Sequence, residues 1–291
     1  MTEITFENNN SQYWATFWEE INQAGNKKGP MTPGFWNQMA HRYARDTPQE
    51  KEETRLKRIL DFITSSGLQL QGAEVLDIGA GTGSLSIPLA KMGAHVTAID
   101  FSEEMLKKLQ ARAQEEQVTI KTIEKSWNSV NLDEEGYQKK FDLVIVSMTP
   151  AVRNPQDFAL MLKASKGICY YSGWVHRKWD PSYYTLYKHL FNEEFKETPH
   201  GFYLPFMYLY MLGYRPEVTL IQDEWNSYET IDEYVETASG FFSTTKPIDD
   251  QIKKQIREYI TPYAPDGVYN AQTQVITGMM IWDMKDGNIQ T

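Results

Sequence analysis

The chain has little cysteine, no surplus of positive charge and no long apolar run. Its single cysteine, Cys169, cannot form an internal disulfide, which favours a reducing compartment. Acidic residues outnumber basic ones, 39 against 29, so the usual electrostatic basis for nucleic-acid binding is absent. The N-terminal stretch lacks a secretory-signal pattern, and no run reaches the roughly 17 to 25 apolar residues of a membrane span. We expect a cytoplasmic protein without a nucleic-acid partner or a membrane span.

Helical spacing dominates the start of the chain. Three patterns with apolar residues at i, i+3, i+4 and i+7 precede residue 67, and the first places Trp14, Phe17 and Trp18 on one face. Glycine and proline residues separate the patterns. We interpret residues 1–66 as a helical N-terminal lid.

Strands and helices alternate from residue 67 onwards. Short apolar segments such as "AEVLDIG", "AHVTAID" and "FDLVIVSM" are each followed by a helical pattern or a turn. This alternation predicts parallel βαβ units and a doubly wound, mostly parallel α/β sheet over residues 67–291. Two later strands are expected at 217–221 and 274–284, with helical cap insertions at about 175–216 and 222–273.

The stretch "VLDIGAGTG" places three glycines where a buried strand should turn into a helix. Gly79, Gly81 and Gly83 remove side chains at a point where a ligand can approach the backbone. The dinucleotide fingerprint G-x-G-x-x-G fails, because Ser84 occupies its third glycine position. Asp77 adds a negative charge beside the loop, which disfavours a pyrophosphate and suits a ligand that carries an ammonium group.

A second strand, in "VTAIDFSEEML", ends in the acidic residue Asp100, and Ser102 follows as the predicted N-cap of the next helix. Together the two stretches resemble motif I and the following acidic strand end of the class I S-adenosylmethionine-dependent methyltransferases. A strand, loop and helix that serve no ligand remain the alternative interpretation.

The resemblance implies a Rossmann-like sheet of seven strands and S-adenosyl-L-methionine as the cofactor. In that family the glycine loop, here Gly79, Gly81 and Gly83, runs past the methionine part and the adenosine. Asp77 would lie near the cofactor's ammonium group. Asp100 would accept hydrogen bonds from both ribose hydroxyls.

Further positions are assigned to the cofactor by the same resemblance. Met105 would cover the adenine, with Phe101 beside it, although core packing explains Met105 equally well. Ser126 and Trp127 stand where many members have an acid that binds the adenine amino group. Ser147 ends the fourth strand and should face the methyl group.

Two more segments carry candidate residues. "FWNQMAHRYAR" resembles a helix that precedes motif I in small-molecule methyltransferases, so Trp36 and Tyr43 are candidates for the cofactor carboxylate, with core packing as the alternative. The aromatic segment 201–214 is either a buried helix or the wall of an acceptor pocket, with adhesion to a membrane surface as a third reading.

Proton transfer would need a group that titrates or donates near the acceptor. His176 and His200 are the candidate bases, and Tyr203 is a candidate assistant, although a lone histidine is commonly a surface residue. The histidine spacings predict no metal site.

We therefore expect an enzyme that transfers a methyl group by in-line displacement to a small-molecule acceptor, with an apolar or aromatic acceptor favoured. The alternatives are a protein or quinone-like lipid acceptor, a cofactor-binding protein without catalysis, and a nicotinamide oxidoreductase.

Overall fold

The structure is a computed structural model. It describes residues 10–24, 32–40, 49–195, 201–243 and 245–288. Two predicted site residues, Tyr43 and His200, lie outside the described residues.

Helices and strands alternate through most of the described chain. The helices are α1 (Ser11–Ala24), α2 (Pro33–Met39), α3 (Gln49–Ser65), α4 (Ser86–Lys91), α5 (Glu103–Glu115), α6 (Pro155–Ala164), α7 (Pro181–Phe191), α8 (Tyr203–Met211), α9 (Ile231–Phe242) and α10 (Asp250–Ile260). The strands are β1 (Glu74–Ile78), β2 (His95–Asp100), β3 (Ile120–Glu124), β4 (Phe141–Ser147), β5 (Ser165–Lys178), β6 (Glu217–Thr230) and β7 (Val268–Asp283).

The strands of the described chain form one seven-stranded sheet in the order β3-β2-β1-β4-β5-β7-β6. The pairs β1–β2, β1–β4, β2–β3 and β4–β5 are all parallel. The order reverses beside β1, so the carboxyl ends of β1, β2 and β4 share one edge of the sheet at a topological switch point. This architecture confirms the expected doubly wound, mostly parallel α/β fold.

The central strands are the most apolar part of the structure. Val75, Leu76 and Ile78 of β1 are fully buried, and residues 143–146 of β4 are equally inaccessible. Strands that are covered on both faces are apolar along most of their length. This is why the apolar segments of the sequence predicted these strands.

The chain divides into two compact units. The first unit comprises residues 1–173, 201–219 and 278–291, and the second comprises 174–200 and 220–277. Strands β5, β6 and β7 each contribute residues to both units. A separate lid over residues 1–66 stays a prediction.

Three strands are longer than the sequence indicated. β5 continues to Lys178, β6 continues from 221 to Thr230, and β7 begins at Val268. Parts of the expected helical insertions are therefore strand. From Val218 onwards the exposed and partly buried positions of β6 alternate, but both sets are mostly polar because β6 lies at the edge of the sheet.

The second unit has its own aromatic core. Tyr183 and Tyr187 of α7 pack with Tyr234 and Phe242 of α9 and Ile260 of α10, and all five are buried. The Tyr183 and Tyr234 rings stack with centroids 5.1 Å apart. Helices α7, α9 and α10 thus enclose apolar surface within this unit.

Within the described ranges, no helix has the length and apolar character needed to cross a bilayer. The same ranges contain no cluster of three or more His, Cys, Asp or Glu side chains arranged to hold a metal ion.

Helix α1 joins the first unit through one buried aromatic residue. Trp18 is 4% exposed and packs edge-on against Phe158 of α6 and Tyr208 of α8, with centroids 5.8 and 6.1 Å apart. Tyr13, on the same helix, is 48% exposed. The aromatic face that the sequence predicted for α1 is therefore buried at Trp18.

Replacing Trp18 with alanine should lower the free energy of unfolding by about 3 to 5 kcal/mol, because the change removes a buried indole and leaves a cavity. The matched change Tyr13→Ala should cost less than about 1 kcal/mol. Urea unfolding followed by far-UV circular dichroism measures both. Equal losses for the two variants would show that α1 is not held by Trp18.

Candidate cofactor site

The loop after β1 is built on glycines in the left-handed region. Gly79, Gly81 and Gly83 have φ of 70°, 55° and 82°. The backbone N–H groups of Gly79 and Ala80 both donate to the Ile99 carbonyl of β2, at 2.7 and 3.2 Å. The loop therefore continues the β1–β2 pairing and carries its backbone past the end of β2.

Each glycine has a different neighbour. A Cβ on Gly79 would lie 2.1 Å from Oγ1 of Thr149, and one on Gly83 would lie 2.8 Å from Cγ of Leu109. A Cβ on Gly81 would meet nothing within 4 Å. Gly79 and Gly83 are thus required by protein packing, whereas Gly81 presents bare backbone to open space.

The carboxylate of Asp100 ties this loop to the next helix. Its Oδ2 accepts from the Gly81 N–H and its Oδ1 accepts from the Ser102 N–H, both at 2.9 Å. A carboxylate has about four lone-pair positions, so each oxygen can accept a further hydrogen bond from a ligand hydroxyl. Burial raises the pKa of Asp100, and these backbone hydrogen bonds oppose the rise.

A second buried acid lies under the loop. Asp77 is 2% exposed, and its Oδ2 accepts a 2.6 Å hydrogen bond from the hydroxyl of Ser86 at the start of α4. Burial raises the pKa of Asp77 to about 6, and the nearby charge of Asp100 contributes to the rise. Two acids without a cationic partner among the described residues make this a site that favours a positive ligand.

A pocket opens in front of the loop. It contains about 490 Å³ of empty space including its mouth. Five residues that the sequence assigned to the cofactor line it, namely Gly79, Asp100, Phe101, Ser126 and Trp127. The other described residues that the sequence assigned to the cofactor are not among its lining residues, namely Trp36, Asp77, Gly81, Gly83, Met105 and Ser147. The remaining lining residues are Ile99, Lys125, Asn128, Thr149, Pro150, Ala151 and Arg153.

Trp127 and Lys125 are held in place by contacts behind the pocket. The Trp127 indole N–H donates to the Asp157 carbonyl at 3.0 Å, and the Lys125 ammonium forms a 2.8 Å ion pair with Glu135. The aromatic face of Trp127 is therefore fixed, and the charge of Lys125 is already matched. Neither residue counteracts the negative character of the two buried acids.

Two further residues predicted for the cofactor are used in packing. Met105 is 2% exposed in the first turn of α5 and is not among the pocket-lining residues. The hydroxyl of Ser147 lies 3.1 Å from that of Ser172, at the matching position of β5. Thr149, two residues beyond Ser147, lies at the pocket instead.

Helix α2 contacts the start of α5. Oδ1 of Asn37 accepts from the Ser102 hydroxyl at 2.6 Å, and the Ser102 hydroxyl accepts from the Met105 N–H at 3.3 Å. Ser102 is thus the N-cap that the sequence predicted, whereas Asn37 and Ser86 had no recognisable sequence signal. Trp36, next to Asn37, is partly buried and packs edge-on against Phe35 at 5.3 Å.

The two described candidate catalytic residues, His176 and Tyr203, do not line this pocket. His176 belongs to the second unit and is exposed. Tyr203 starts α8 in the first unit, and its ring lies edge-on to Trp14 with centroids 5.9 Å apart. Burial raises the pKa of Tyr203. Their roles stay predictions.

Within the aromatic segment 201–214, several side chains are packed inside the first unit. Phe202 is 4% exposed and contacts Tyr171 at 6.4 Å between centroids. A Cβ on Gly278 would lie 2.5 Å from the Phe202 ring. Tyr210, in contrast, is 41% exposed. The segment thus contains buried and exposed aromatic residues.

Residues 75–169 match a family model described as a methyltransferase domain. Over 109 residues the chain is 34% identical to a ubiquinone biosynthesis O-methyltransferase of Rickettsia canadensis, covering 37% of this chain and 44% of that protein. It is 38% identical over 85 residues to an uncharacterised protein of Mycobacterium bovis, covering 29% of each chain. The aligned segment thus spans less than half of these relatives.

One solved structure has a similar fold along most of the chain. A candidate sarcosine dimethylglycine methyltransferase of Galdieria sulphuraria aligns with a TM-score of 0.50, covering 94% of this chain and 98% of that one. The two sequences are 12% identical, so the likeness concerns the fold. The family match covers the strands and loops that build the pocket, from β1 into β5.

Asp77→Asn should stabilise the ligand-free protein at neutral pH. Since the pKa of Asp77 rises from 3.8 to about 6 on folding, the protonated form stabilises the fold below about pH 4, and this contribution is lost as pH rises through about 6. The variant stays neutral, so it should gain as much as about 3 kcal/mol over the parent at pH 7 and nothing at pH 4. Urea unfolding at both values, with exposed Asp133→Asn as control, measures this. An equal difference at both pH values would contradict the assignment.

Asp100→Ala should weaken binding of S-adenosylhomocysteine at least tenfold, because hydrogen bonds to a charged acceptor contribute about 1.5 to 3 kcal/mol each. Gly81→Val should weaken it further by filling the open face of the loop. Isothermal titration calorimetry, with melting curves, measures both changes.

Two controls separate binding from folding. Gly136 has a φ of 65° and open space around it, so Gly136→Val imposes similar backbone strain outside the pocket. Asp142→Ala removes a strand carboxylate that accepts from the Glu74 N–H at 3.0 Å. Both controls should keep parental affinity, and a loss equal to that of the pocket variants would contradict the site.

Proposed function

We propose that this chain, which carries a domain of the class I S-adenosylmethionine-dependent methyltransferases, transfers a methyl group from S-adenosylmethionine to a small-molecule acceptor. The match of residues 75–169 to a methyltransferase domain and the residues of the pocket both support S-adenosylmethionine as the cofactor. The acceptor and the chemical step are the proposed part.

The observation that carries the proposal is the open backbone at Gly81 beside two buried acids. A Cβ on Gly81 would meet nothing within 4 Å, the Gly81 N–H donates to Asp100, and Gly79, two residues before it, lines the pocket. S-adenosylmethionine carries a sulfonium and an ammonium group, so the negative field of Asp77 and Asp100 favours it. The ribose hydroxyls of the cofactor match the unused lone pairs of Asp100.

The cofactor, when bound, supplies a methyl group on an electrophilic sulfonium sulfur. The acceptor would take this methyl group in line with the carbon–sulfur bond, and the cofactor would leave as a neutral thioether that keeps the electron pair of that bond. The loop and Asp100 orient the adenosine, while the Trp127 side of the pocket limits access of water. Alignment and exclusion of water account for most of the catalysis in such a displacement.

A proton leaves the acceptor when a hydroxyl or a protonated amine is methylated. His176, His200 and Tyr203 are the proposed groups to receive or relay it. A histidine is suited to this task at neutral pH. The raised pKa of Tyr203 keeps its phenol protonated, so Tyr203 would donate a hydrogen bond to the acceptor and would not act as the base.

A small apolar or aromatic acceptor is favoured over a nucleic acid. The formal charge of −10 opposes a polyanion. The exposed part of segment 201–214, including Tyr210, supplies aromatic surface on the first unit. The O-methyltransferase relative from Rickettsia makes a quinone-like lipid the next acceptor to test.

We also propose that the N-terminal helices close the cofactor site in a cytoplasmic enzyme. Asn37 of α2 binds Ser102, one residue beyond the pocket residue Phe101. The Lys108 ammonium of α5 donates to the Ala40 carbonyl at the end of α2. The first contact connects α2 to the N-cap of α5, beside the strand end that carries Asp100, and the second connects the end of α2 to the middle of α5.

The direct test incubates the protein with methyl-labelled S-adenosylmethionine and a cell extract, and separates labelled products by size. We expect a small labelled product, which Asp100→Ala abolishes. Label on protein or in a lipid fraction would change the acceptor class. Binding of cofactor with no labelled product would indicate a cofactor-binding protein without catalysis.

Once the acceptor is known, Tyr203→Phe and His176→Gln should lower kcat by about tenfold or more while leaving the affinity for S-adenosylhomocysteine unchanged. Steady-state rates and calorimetry separate the two quantities. Unaltered kcat in both variants would remove these residues from the proposed mechanism.

A further inference from the structure

Arg177 in the second unit is surrounded by three indole rings. Its guanidinium carbon lies 3.6 Å from the ring centroid of Trp179, 5.2 Å from that of Trp174 and 5.9 Å from that of Trp225. The Trp174 and Trp225 rings meet edge-on at 4.9 Å. All four residues are partly exposed, so a ligand from solvent can reach the group.

Arg177 has no anionic partner within the described chain. No side-chain hydrogen bond or ion pair between described residues involves its guanidinium, and its Nε is closed off from solvent without an acceptor. Burial lowers the pKa of Arg177 to about 10. A guanidinium normally satisfies its N–H groups with carboxylates, carbonyls or water.

The buried acids of the same unit are occupied by other donors. Asp180 accepts from the Ser182 N–H, the Tyr269 hydroxyl and the Gln272 N–H, at 2.8 to 2.9 Å. Its requirement for hydrogen bonds is met without a cation. Arg177 lies three residues before Asp180 in the sequence and is not among its hydrogen-bond partners.

Three more acids of this unit, Asp223, Glu229 and Glu233, are partly buried, and no hydrogen bond or ion pair joins any of them to Arg177. Glu229 is engaged in the same way as Asp180. It accepts hydrogen bonds from the Tyr183 and Ser227 hydroxyls, at 3.4 and 3.1 Å. Among the described residues of the second unit, Arg177 is thus a cation stacked on aromatic rings that no acid of the unit pairs with.

Contact with aromatic faces offsets only part of the cost of burying the cation. The N–H groups of the guanidinium lie in its plane and point outward from its edge. The indole rings provide no hydrogen-bond acceptor for them. A planar oxyanion can accept two of them at once in a fork. The charge of Arg177 also excludes a cationic ligand, the other class that aromatic cages commonly bind.

We propose that Arg177, Trp174, Trp179 and Trp225 form a binding site for a small organic anion that carries a carboxylate or phosphate on a planar apolar body. The oxyanion pairs with the guanidinium, and the apolar body packs on the indole faces. This site lies in the second unit. Its occupancy can be measured without the cofactor, so the proposal does not rest on methyl transfer.

The test titrates the full-length chain with sodium benzoate, with phenyl phosphate and with neutral benzamide, at constant ionic strength, and follows tryptophan fluorescence. Benzoate or phenyl phosphate should bind at least tenfold more tightly than benzamide, since only the anions pair with Arg177. The tighter of the two anions identifies the carboxylate or the phosphate as the preferred group. Equal affinity of all three compounds would overturn the proposal.

Two variants test whether the guanidinium of Arg177 causes the preference for anions. Arg177→Met should remove the preference for anions, and its melting temperature should stay equal or rise, because an unpaired buried charge is lost. Arg215 also stacks on an aromatic ring, that of Tyr210 at 4.3 Å, but donates to the Tyr210 and Tyr214 carbonyls. Arg215→Met should therefore keep the preference.

Two results would contradict the site. Parental anion binding by Arg177→Met would place the ligand elsewhere. A loss of anion binding accompanied by a markedly lower melting temperature would assign Arg177 to the packing of the second unit.

Discussion

The candidate site depends on one carboxylate that holds two backbone segments together. Asp100 ends β2, and its two oxygens accept from the N–H groups of Gly81 and Ser102. One of these belongs to the loop after β1, and the other to the N-cap of α5. The parallel β1–β2 pairing brings the three segments to the same edge of the sheet, so a single side chain fixes both the loop and the helix start.

The same arrangement imposes a cost on the ligand-free protein. Asp77 and Asp100 are both buried, and each raises the free energy of the other's charged form. A structural core would not retain such a pair, because neutral or apolar residues would pack there more favourably. A cationic ligand would offset the free-energy cost of the two buried charges. The cost that the acids impose on the empty site is therefore the reason that the site should prefer a sulfonium compound.

Local features made much of this site predictable. The glycine run, the acid at the strand end and the Ser102 cap act within a few residues of one another, so their spacing carries the information. The partners Ser86 and Asn37 were not predictable, since they reach Asp77 and Ser102 only after the chain has folded. Met105 and Ser147 were assigned by resemblance, and neither is among the residues that line the pocket, so their roles stay predictions.

The sequence predicted outer strands that are shorter than those of the structure, and for β6 the reason is different. An edge strand needs only one partner and can be polar on both faces, so residues 222–230 of β6 carry no apolar signal although they alternate regularly in exposure. The lone Arg177 among tryptophans was equally hidden, because Trp225 lies far from it in sequence. These features depend on residues that are far apart in the sequence and close in space, which a single sequence does not show directly. The glycine loop depends on residues that are close in the sequence.

The most direct test of the account is calorimetric titration of the purified chain with S-adenosylhomocysteine and, separately, with NADH. Bare backbone at Gly81 beside two acids should bind S-adenosylhomocysteine with one site per chain and give no heat with NADH, whose pyrophosphate the acids repel. Binding of NADH, or no binding of S-adenosylhomocysteine, would contradict the assignment of this loop to the adenosyl group of S-adenosylmethionine and its product.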